Sequence, residues 1–192
     1  HVQCDSIERE VRVLREIYDE HAGLQDRFRN CGRVTPAVCA KLGMTGLAAR
    51  ASGAAGDLRV DFPQPPYERL GVRKALQAGG DVAARVAVRF DEILESLRLV
   101  RAIVDALPDG RVAADLPPPL PPRLALGVVE GWRGPVMIAL ETGDDGAIRR
   151  CHPHDPSWAN WPAVEHAAMD NIVPDFPLIN KSFNLAYSGH DL

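Results

Sequence analysis

Apolar positions recur every three or four residues over most of the first hundred residues, which is the period of an α-helix. From Asp5 to about Arg29 this pattern predicts one helix, with Asp5 and Glu8 at the spacing of a capping box. We expect its apolar stripe to pack in the core rather than to form a binding face. The stripe consists of Ile7, Val11, Leu14, Ile17 or Tyr18, Leu24 and Phe28.

Two further helices are predicted before the middle of the chain. A short one covers 35–42, where Thr35 is a suitable N-cap and Gly43 can end the helix. The longest helix covers 81–107, has a continuous apolar face and is ended by Pro108-Asp-Gly110. At a rise of ~1.5 Å per residue it reaches about 40 Å, which is enough to span a domain.

The pattern changes after the long helix. The stretch Val112–Pro122 contains Leu-Pro-Pro-Pro-Leu-Pro-Pro. It predicts a stiff connector, with a proline-motif ligand for another domain as the alternative. Short apolar runs separated by glycine-containing turns then predict a meander of three antiparallel strands. The strands are Leu124–Glu130, Pro135–Thr142 and Ala147–His152.

Two short helices are predicted next, over Trp158–Asp170 and Pro174–Leu185, before a C-terminus that is either a free tail or docked. The resulting fold class is α+β and mostly α: a long-helix bundle with a small antiparallel three-stranded sheet. The chain therefore consists of a helical part (1–111), a connector (112–122) and a sheet with the C-terminal helices (123–192).

Composition and charge narrow the classes of function. The 192 residues carry a formal net charge of -4, which argues against nucleic acid as a partner, because phosphate binding needs a basic face. No apolar run approaches the ~20 residues of a membrane span, and we see no secretory signal pattern in these residues. The four cysteines form no Cys-x-x-Cys pair and are expected to be reduced thiols. Because the chain begins with His1, we expect it to be part of a longer protein.

The stretch 50–63 has an unusual density of charge between two helical segments. It contains two arginines and two aspartates, at Arg50, Asp57, Arg59 and Asp61, among glycines that allow close backbone approach. Such a segment can hold charges in fixed positions beside a buried site. The alternative is a solvated loop whose Arg–Asp pairs contribute little.

The densest set of metal-type ligands is Cys151-His-Pro-His-Asp155. Four adjacent ligand types cannot all reach one ion from an extended segment, so the alternative is a strand end with surface histidines. The sequence has no Walker motif, no Gly-x-Gly-x-x-Gly after a strand and no His-Glu-x-x-His. A hydrolase therefore has no specific motif in its favour.

Residues 43–63 fit the pattern G-x-T-G-x-x-x-R-A-S-G-x-x-x-D-L-R-x-x-x-P. In this stretch, in the hairpin 129–134 and in the tail 171–192, the chain resembles the 49 kDa subunit of respiratory complex I. It is similar also to the large subunit of group 4 membrane-bound [NiFe] hydrogenases, including that of formate hydrogenlyase. Further matching positions are Tyr67-Glu-Arg69, Asp81, Arg85, Arg89, Glu92, Ser96-Leu-Arg98, Glu130 and Arg133.

The resemblance implies that the chain is the C-terminal part of a large subunit in a membrane-associated oxidoreductase complex. In complex I, the aspartate that matches Asp57 lies by the quinone headgroup cavity. By resemblance, Arg50, Asp57 and Arg59 are candidates for a buried, redox-coupled charge network, with a quinone in the complete complex. Asp155 keeps the position of an aspartate in a hydrogenase motif and is the fourth candidate catalytic residue.

That hydrogenase motif, Asp-Pro-Cys-x-x-Cys, supplies two thiolate ligands of the nickel–iron site. Here Ser157 and Asn160 stand at the two cysteine positions. A hydroxyl and an amide are poor replacements for thiolates, which soft metals select. We therefore expect no standard nickel–iron centre, and no cofactor bound by this chain alone.

The partners implied are an iron–sulfur small subunit and membrane-arm subunits, with the chain peripheral to the cytoplasmic side of the inner membrane. The NADH dehydrogenase and hydrogenase branches of the resemblance both imply electron transport, and the chain alone is expected to be inactive. One alternative is a non-catalytic scaffold or coupling subunit that has lost its redox site. Another is an independent metal-binding protein that uses Cys151, His152 and His154.

Overall fold

Helices form both ends of the chain and a small sheet lies between them. The structure is a computed structural model that describes residues 1–111, 113–115 and 123–191. The helices are α1 (Val2–Glu20), α2 (Ala22–Phe28), α3 (Pro36–Leu42), α4 (Gly46–Ala51), α5 (Leu58–Asp61), α6 (Val82–Asp105), α7 (Ser157–Ala168) and α8 (Phe176–Phe183). The strands are β1 (Leu124–Gly131), β2 (Gly134–Thr142) and β3 (Ile148–His154). The prolines of the predicted connector lie outside the described residues.

The first predicted helix is in fact two helices. The break is at His21, which has an extended backbone (φ -82°, ψ 90°) and accepts a hydrogen bond at Nδ1 from the amide of Leu24. His21 therefore caps α2, so the prediction of one continuous helix to Arg29 was wrong. The start also differs, since Asp5 lies inside the first turn of α1 and its carboxylate accepts a hydrogen bond from Arg101.

The apolar stripe of α1 is largely exposed. Val11 is buried, whereas Ile7, Leu14 and Ile17 are 47%, 57% and 54% exposed. The prediction that this stripe packs in the core was therefore wrong for α1. The period of a sequence shows that a helix is amphipathic, but it does not show what covers the apolar face.

The short helix and the longest helix predicted in the N-terminal part are confirmed, and both have a capping side chain. The hydroxyl of Thr35 accepts a hydrogen bond from the amide of Val38, and Gly43 ends α3 in the left-handed conformation at φ 63°. Asp81 caps α6, because its Oδ1 accepts a hydrogen bond from the amide of Ala84 at 2.8 Å. The long helix of 24 residues then packs against α1, α4 and α8.

The predicted meander is confirmed, with strand order β1-β2-β3 and antiparallel pairing throughout. The sheet packs on α4 near its turn at 131–134. A Cβ atom on Gly46 would lie 2.1 Å from the carbonyl oxygen of Arg133, so the two backbones are in direct contact. At the opposite end Leu124 and Leu126 are exposed on one face and Ile138 on the other.

The C-terminal helices complete the main core. Ala163, Val164 and Ile179 pack there with Val34 and Val82 from the N-terminal part. Ser188–Asp191 form a short 3₁₀ helix, and a Cβ atom on Gly189 would lie 2.5 Å from Cγ of Asp155. Of the two predicted arrangements of the tail, the docked one is confirmed.

A buried arginine joins the two halves of the helical body. Arg85 is 0% exposed and donates hydrogen bonds to the Ser182 hydroxyl and to the carbonyl oxygens of Gly80 and Gly32, at 2.8, 2.8 and 2.9 Å. Its guanidinium also stacks on Phe183, 4.1 Å from the ring centroid. Burial lowers the pKa of Arg85 to about 9.

In the part of the chain that the structure describes, no helix combines the length and the apolar character that crossing a bilayer requires. The observed architecture is the predicted α+β fold, mostly helical with one three-stranded antiparallel sheet.

Candidate functional site

Arg50 lies at the centre of a cluster of buried charges. It is in the last turn of α4 and is 1% exposed. Its Nε and Nη2 both approach Oε1 of Glu92 at 2.6 Å. Its Nη1 donates to Oε1 of Glu130 at 3.0 Å and to the carbonyl oxygen of Gly56 at 2.8 Å. One guanidinium therefore connects α4, α6 and β1.

A second arginine neutralises Asp57, which is 2% exposed and caps α5. Arg59 donates from Nε to Oδ1 at 3.0 Å and from Nη2 to Oδ2 at 2.7 Å, and its amide donates to Oδ1 at 3.0 Å. The Nη1 atom of Arg50 lies 4.0 Å from Oδ2 of the same aspartate. The two arginines thus share one network.

Glu130 connects the hairpin to this network. Its Oε1 accepts from Arg50, and its Oε2 accepts from the amide of Leu58 at 3.1 Å. We call the five residues the charge cluster. Its members are Arg50, Asp57, Arg59, Glu92 and Glu130.

Two glycines allow the hairpin to approach Arg50. Gly46 has φ 62° and Gly134 has φ 135°, which are conformations that residues with a side chain rarely adopt. A Cβ atom on Gly134 would lie 2.8 Å from the hydroxyl oxygen of Thr45. Because the hairpin turn contacts the start of α4, Glu130 lies close to Arg50 at the end of the same helix.

Burial and pairing have opposite effects on the carboxylates of the cluster. Burial alone would raise the pKa of Asp57, but the hydrogen bonds from Arg59 and the charges of Arg59 and Arg50 outweigh it and lower that pKa. For Glu92 burial prevails over the attraction of Arg50, so its pKa is raised. The cluster therefore contains one strongly ionised carboxylate and one that retains a proton more readily.

The charge cluster borders two adjoining cavities. One of about 280 Å³ is lined by Arg50, Arg59, Glu92, Glu130, Tyr67, Ser96 and Trp132, among others. The other, of about 470 Å³, shares Arg59, Tyr67 and Glu130 with the first. Its remaining wall is mostly apolar and includes Leu58, Phe62, Pro65, Val128 and Val129. A ligand in this groove would meet charged groups on one side and an apolar surface on the other.

Three of the four predicted site residues come together, and one does not. Arg50, Asp57 and Arg59 share the cluster, so the alternative of a solvated loop was wrong. Asp155 lies elsewhere, where its Oδ1 accepts a hydrogen bond from the amide of Ser157 at 2.7 Å and its side chain contacts the docked tail. That geometry stabilises the start of α7.

Glu92 was not among the candidate catalytic residues, because a charged residue on a helix usually faces solvent, yet Glu92 and Glu95 are each 5% exposed. The spacing of these glutamates along the long helix does indicate that they are buried. Val88, Glu92, Glu95 and Leu99 occupy one buried stripe of α6 with the repeat of a core face. Two glutamates inside such a stripe indicate buried ion pairs.

The two positions of the hydrogenase cysteines are occupied by side chains that bind the backbone. Ser157 is 0% exposed, and its hydroxyl accepts a hydrogen bond from the amide of Ala186 at 3.0 Å. Asn160 is 1% exposed and exchanges two hydrogen bonds with the backbone of Thr45. Satisfied hydroxyl and amide groups do not fit a nickel–iron centre, which needs thiolates.

The Cys-His-Pro-His segment lies on β3, and its Cys151 is an exposed free thiol. Over residues 1–111, 113–115 and 123–191, no three His, Cys, Asp or Glu side chains are grouped so that they could hold a metal ion. This geometry gives no support to an independent metal-binding protein.

Comparison with known proteins decides the family. The model of the family described as "Respiratory-chain NADH dehydrogenase, 49 Kd subunit" matches residues 1–125. The chain belongs to this family. The matched region contains four members of the charge cluster: Arg50, Asp57, Arg59 and Glu92. The fifth member, Glu130, follows the matched region in the chain.

Curated relatives include both hydrogenases and NADH-quinone oxidoreductases. The chain is 33% identical to the carbon monoxide-induced hydrogenase of Rhodospirillum rubrum, over 95% of this chain and 51% of that protein. It is 31% identical to formate hydrogenlyase subunit 5 of Escherichia coli K12, over 98% of this chain and 33% of that protein. An NADH-quinone oxidoreductase component from Desulfotalea psychrophila is 27% identical, over 91% of this chain and 48% of that protein. The chain thus spans about half or less of the length of these relatives.

The fold occurs in a solved membrane complex. A chain of the membrane-bound sulfane sulfur reductase, described as an archaeal respiratory membrane complex, superposes with a TM-score of 0.89 at 23% identity. The match covers 98% of this chain and 53% of that one. This member of the 49 kDa subunit family therefore has the fold of a chain from a respiratory complex.

Proposed function

We propose that the chain is a large-subunit component of a membrane-associated oxidoreductase complex of the complex I or formate hydrogenlyase type. In it, the charge cluster couples proton binding to a redox change in the adjoining groove. The observation that carries this proposal is the cluster itself: Arg50 and Asp57, each 2% exposed or less, are bound to Glu130 and Arg59, which both line the cavities of about 280 and 470 Å³.

Buried charges are suited to such coupling. In a medium of low effective dielectric constant, a charge added within several ångströms shifts the pKa of its neighbours far more than it would in water. Asp57, Glu92 and Arg59 interact electrostatically with one another. A change of charge on a ligand in the groove would therefore be answered by proton uptake or release within the cluster.

The groove suits a quinone as the ligand that changes charge. Arg59 and Tyr67 line both cavities and offer donors to carbonyl oxygens, while Phe62 and Val129 supply an apolar wall for the rest of the molecule. Electrons would come from a neighbouring iron–sulfur subunit. The chain would lie against membrane-arm subunits on the cytoplasmic side of the inner membrane.

The test is an Asp57→Asn substitution in the complex purified with its neighbouring subunits. Loss of the carboxylate charge leaves the half-buried Arg59 without its ion-pair partner, so we expect turnover with a quinone to fall about tenfold or more. Asp91→Asn is the matched control, because Asp91 lies on the outer face of α6 and pairs with Arg15. Turnover that is unaltered by Asp57→Asn would contradict the proposal.

A second candidate is a scaffold subunit without redox chemistry of its own. The hydrogen bonds of Ser157 and Asn160 favour it, because the two ligand positions of the hydrogenase motif now serve packing. A scaffold predicts that Asp57→Asn leaves both turnover and assembly of the complex unchanged. The same experiment therefore separates the two candidates.

A further inference from the structure

Two glutamates on α6 are equally buried and differently bound. Glu95 accepts hydrogen bonds at both carboxylate oxygens, from the Arg98 guanidinium and from the side chain and amide of Arg73. Glu92 is bound by a single guanidinium, that of Arg50, and both contacts go to Oε1. No described residue donates a hydrogen bond to Oε2 of Glu92.

Carboxylates outnumber guanidiniums in the charge cluster. Its three carboxylates face two guanidiniums, and the further cation that acts on Glu92, Arg89, donates its hydrogen bond to the Ser182 carbonyl oxygen. A buried carboxylate without a guanidinium of its own is costly in its charged form, and binding one proton removes that charge. Asp57 and Glu130 each use both oxygens as hydrogen-bond acceptors, which leaves Oε2 of Glu92 as the free position.

The carboxyl of Glu92 also has access to solvent. It lines the cavity of about 280 Å³ together with Ser96, one helical turn away, and Tyr67. A cavity of this size holds several water molecules, and its polar lining provides partners for them. A proton can therefore reach Oε2 without passing through the packed core.

We infer that Glu92 is the carboxyl at which the charge cluster takes up and releases its proton, through Oε2 and the water-accessible cavity beside Ser96. In uptake, hydronium in the cavity gives its proton to Oε2 and leaves water, and release is the reverse. No electron moves in this step. Protonation at Oε2 leaves both contacts of Oε1 with Arg50 in place.

Burial and the neighbouring charges together decide whether the pKa of Glu92 is raised or lowered. Arg50 and Arg59 favour the ionised form, whereas burial and Asp57 favour the protonated form, and burial has the largest effect. Glu130 lies across Arg50, and the positive charge of Arg89, on the same helix, also interacts with Glu92. The outcome is a raised pKa for Glu92, against a pKa lowered to about 2 for Glu95 by Arg98 and Arg73, which outweigh the effect of its burial.

The test is infrared titration of the purified protein labelled with ¹³C at its glutamate carboxyls. We expect one protonated glutamate band that disappears only at a pH above the titration of the exposed glutamates. Glu92→Gln should abolish this band, and Glu95→Gln, the control on the same helix at equal burial, should retain it. If Glu92→Gln does not fold, the comparison of the band in the parent protein with that in Glu95→Gln still decides whether a late-titrating glutamate exists.

A parent protein in which no glutamate titrates later than the exposed glutamates would overturn the inference, as would a late band that survives Glu92→Gln. The inference gives the site of protonation within the proposed function, and rests on that function for its redox coupling. The inference and the proposed function can be contradicted independently of each other. The infrared titration does not depend on turnover, and the Asp57→Asn assay does not depend on which residue binds the proton.

Discussion

Asn160 and Thr45 exchange two hydrogen bonds: the Thr45 amide donates to Oδ1 of Asn160 at 3.1 Å, and Nδ2 donates to the Thr45 carbonyl oxygen at 3.2 Å. Thr45 immediately precedes α4, and Arg50 is near the end of that helix. The side chain that stands at a cysteine position of the hydrogenase motif thus binds the start of the helix that carries Arg50, one member of the charge cluster.

Asn160→Ala should lower the free energy of unfolding by about 1–3 kcal/mol, because it removes both hydrogen bonds between the buried Asn160 side chain and the backbone of Thr45. Equilibrium urea denaturation measures this change. Asn180→Ala is the control, since Asn180 donates to the Tyr187 hydroxyl in an exposed pair, and we expect a loss within about 0.5 kcal/mol. Equal losses for the two variants would contradict the assigned role of Asn160.

Nickel should be absent from the purified complex at the stoichiometry of this subunit. Ser157 and Asn160 offer no thiolate, and their polar atoms are bound to backbone groups. Elemental analysis and infrared spectroscopy of the cyanide and carbonyl region test this expectation, with an active [NiFe] hydrogenase as the reference. Stoichiometric nickel with those bands would mean that other residues supply the ligands.

Gly46→Ala should destabilise the fold more than Gly43→Ala does. Both glycines are left-handed, with φ of 62° and 63°, so alanine costs about 1–2 kcal/mol at either position from backbone strain alone. At Gly46 the new Cβ would also meet the Arg133 carbonyl, whereas nothing lies within 4 Å at Gly43. The difference in melting temperature between the two variants measures the effect of the close contact between the hairpin and α4. Equal melting temperatures would contradict this prediction.

Stability should fall in acid partly through Glu95. Its pKa is lowered from 4.5 to about 2 in the folded protein, so its contribution is complete above pH 4.5 and is lost as the pH falls towards 2. The loss is about 2 kcal/mol, after allowance for the solvent exposure of Arg73. In urea denaturation at a series of pH values, the free energy of unfolding should fall less steeply with decreasing pH for Glu95→Gln than for the parent protein. Parallel curves for the two proteins would contradict this role of Glu95.

The sequence was sufficient to predict the helices whose capping residues lie next to them in the chain. Thr35, Gly43 and Asp81 define helix ends through contacts with residues a few positions away, and the structure shows those contacts. The break at His21 was missed because a histidine ring can cap a helix only in one tautomer and orientation, which no spacing reveals.

The cluster could be predicted only in part, because its contacts are remote in sequence. Arg50 meets Glu92 across 42 positions and Glu130 across 80 positions. The resemblance selected the two arginines and Asp57, but the register of α6 against α4 decides which glutamate completes the pair. Asp155 was selected by the same resemblance and packs with the tail instead.

Arg85 has a consequence for how the molecule comes apart. Its guanidinium holds Gly32, Gly80 and Ser182, which belong to three segments far apart in the chain. Detachment of α8 would remove the Ser182 hydroxyl from a buried cation, so partial opening at the C-terminus carries an electrostatic cost. We therefore expect the helices before and after the sheet to open together, and their most protected amide hydrogens should report one common free energy of opening.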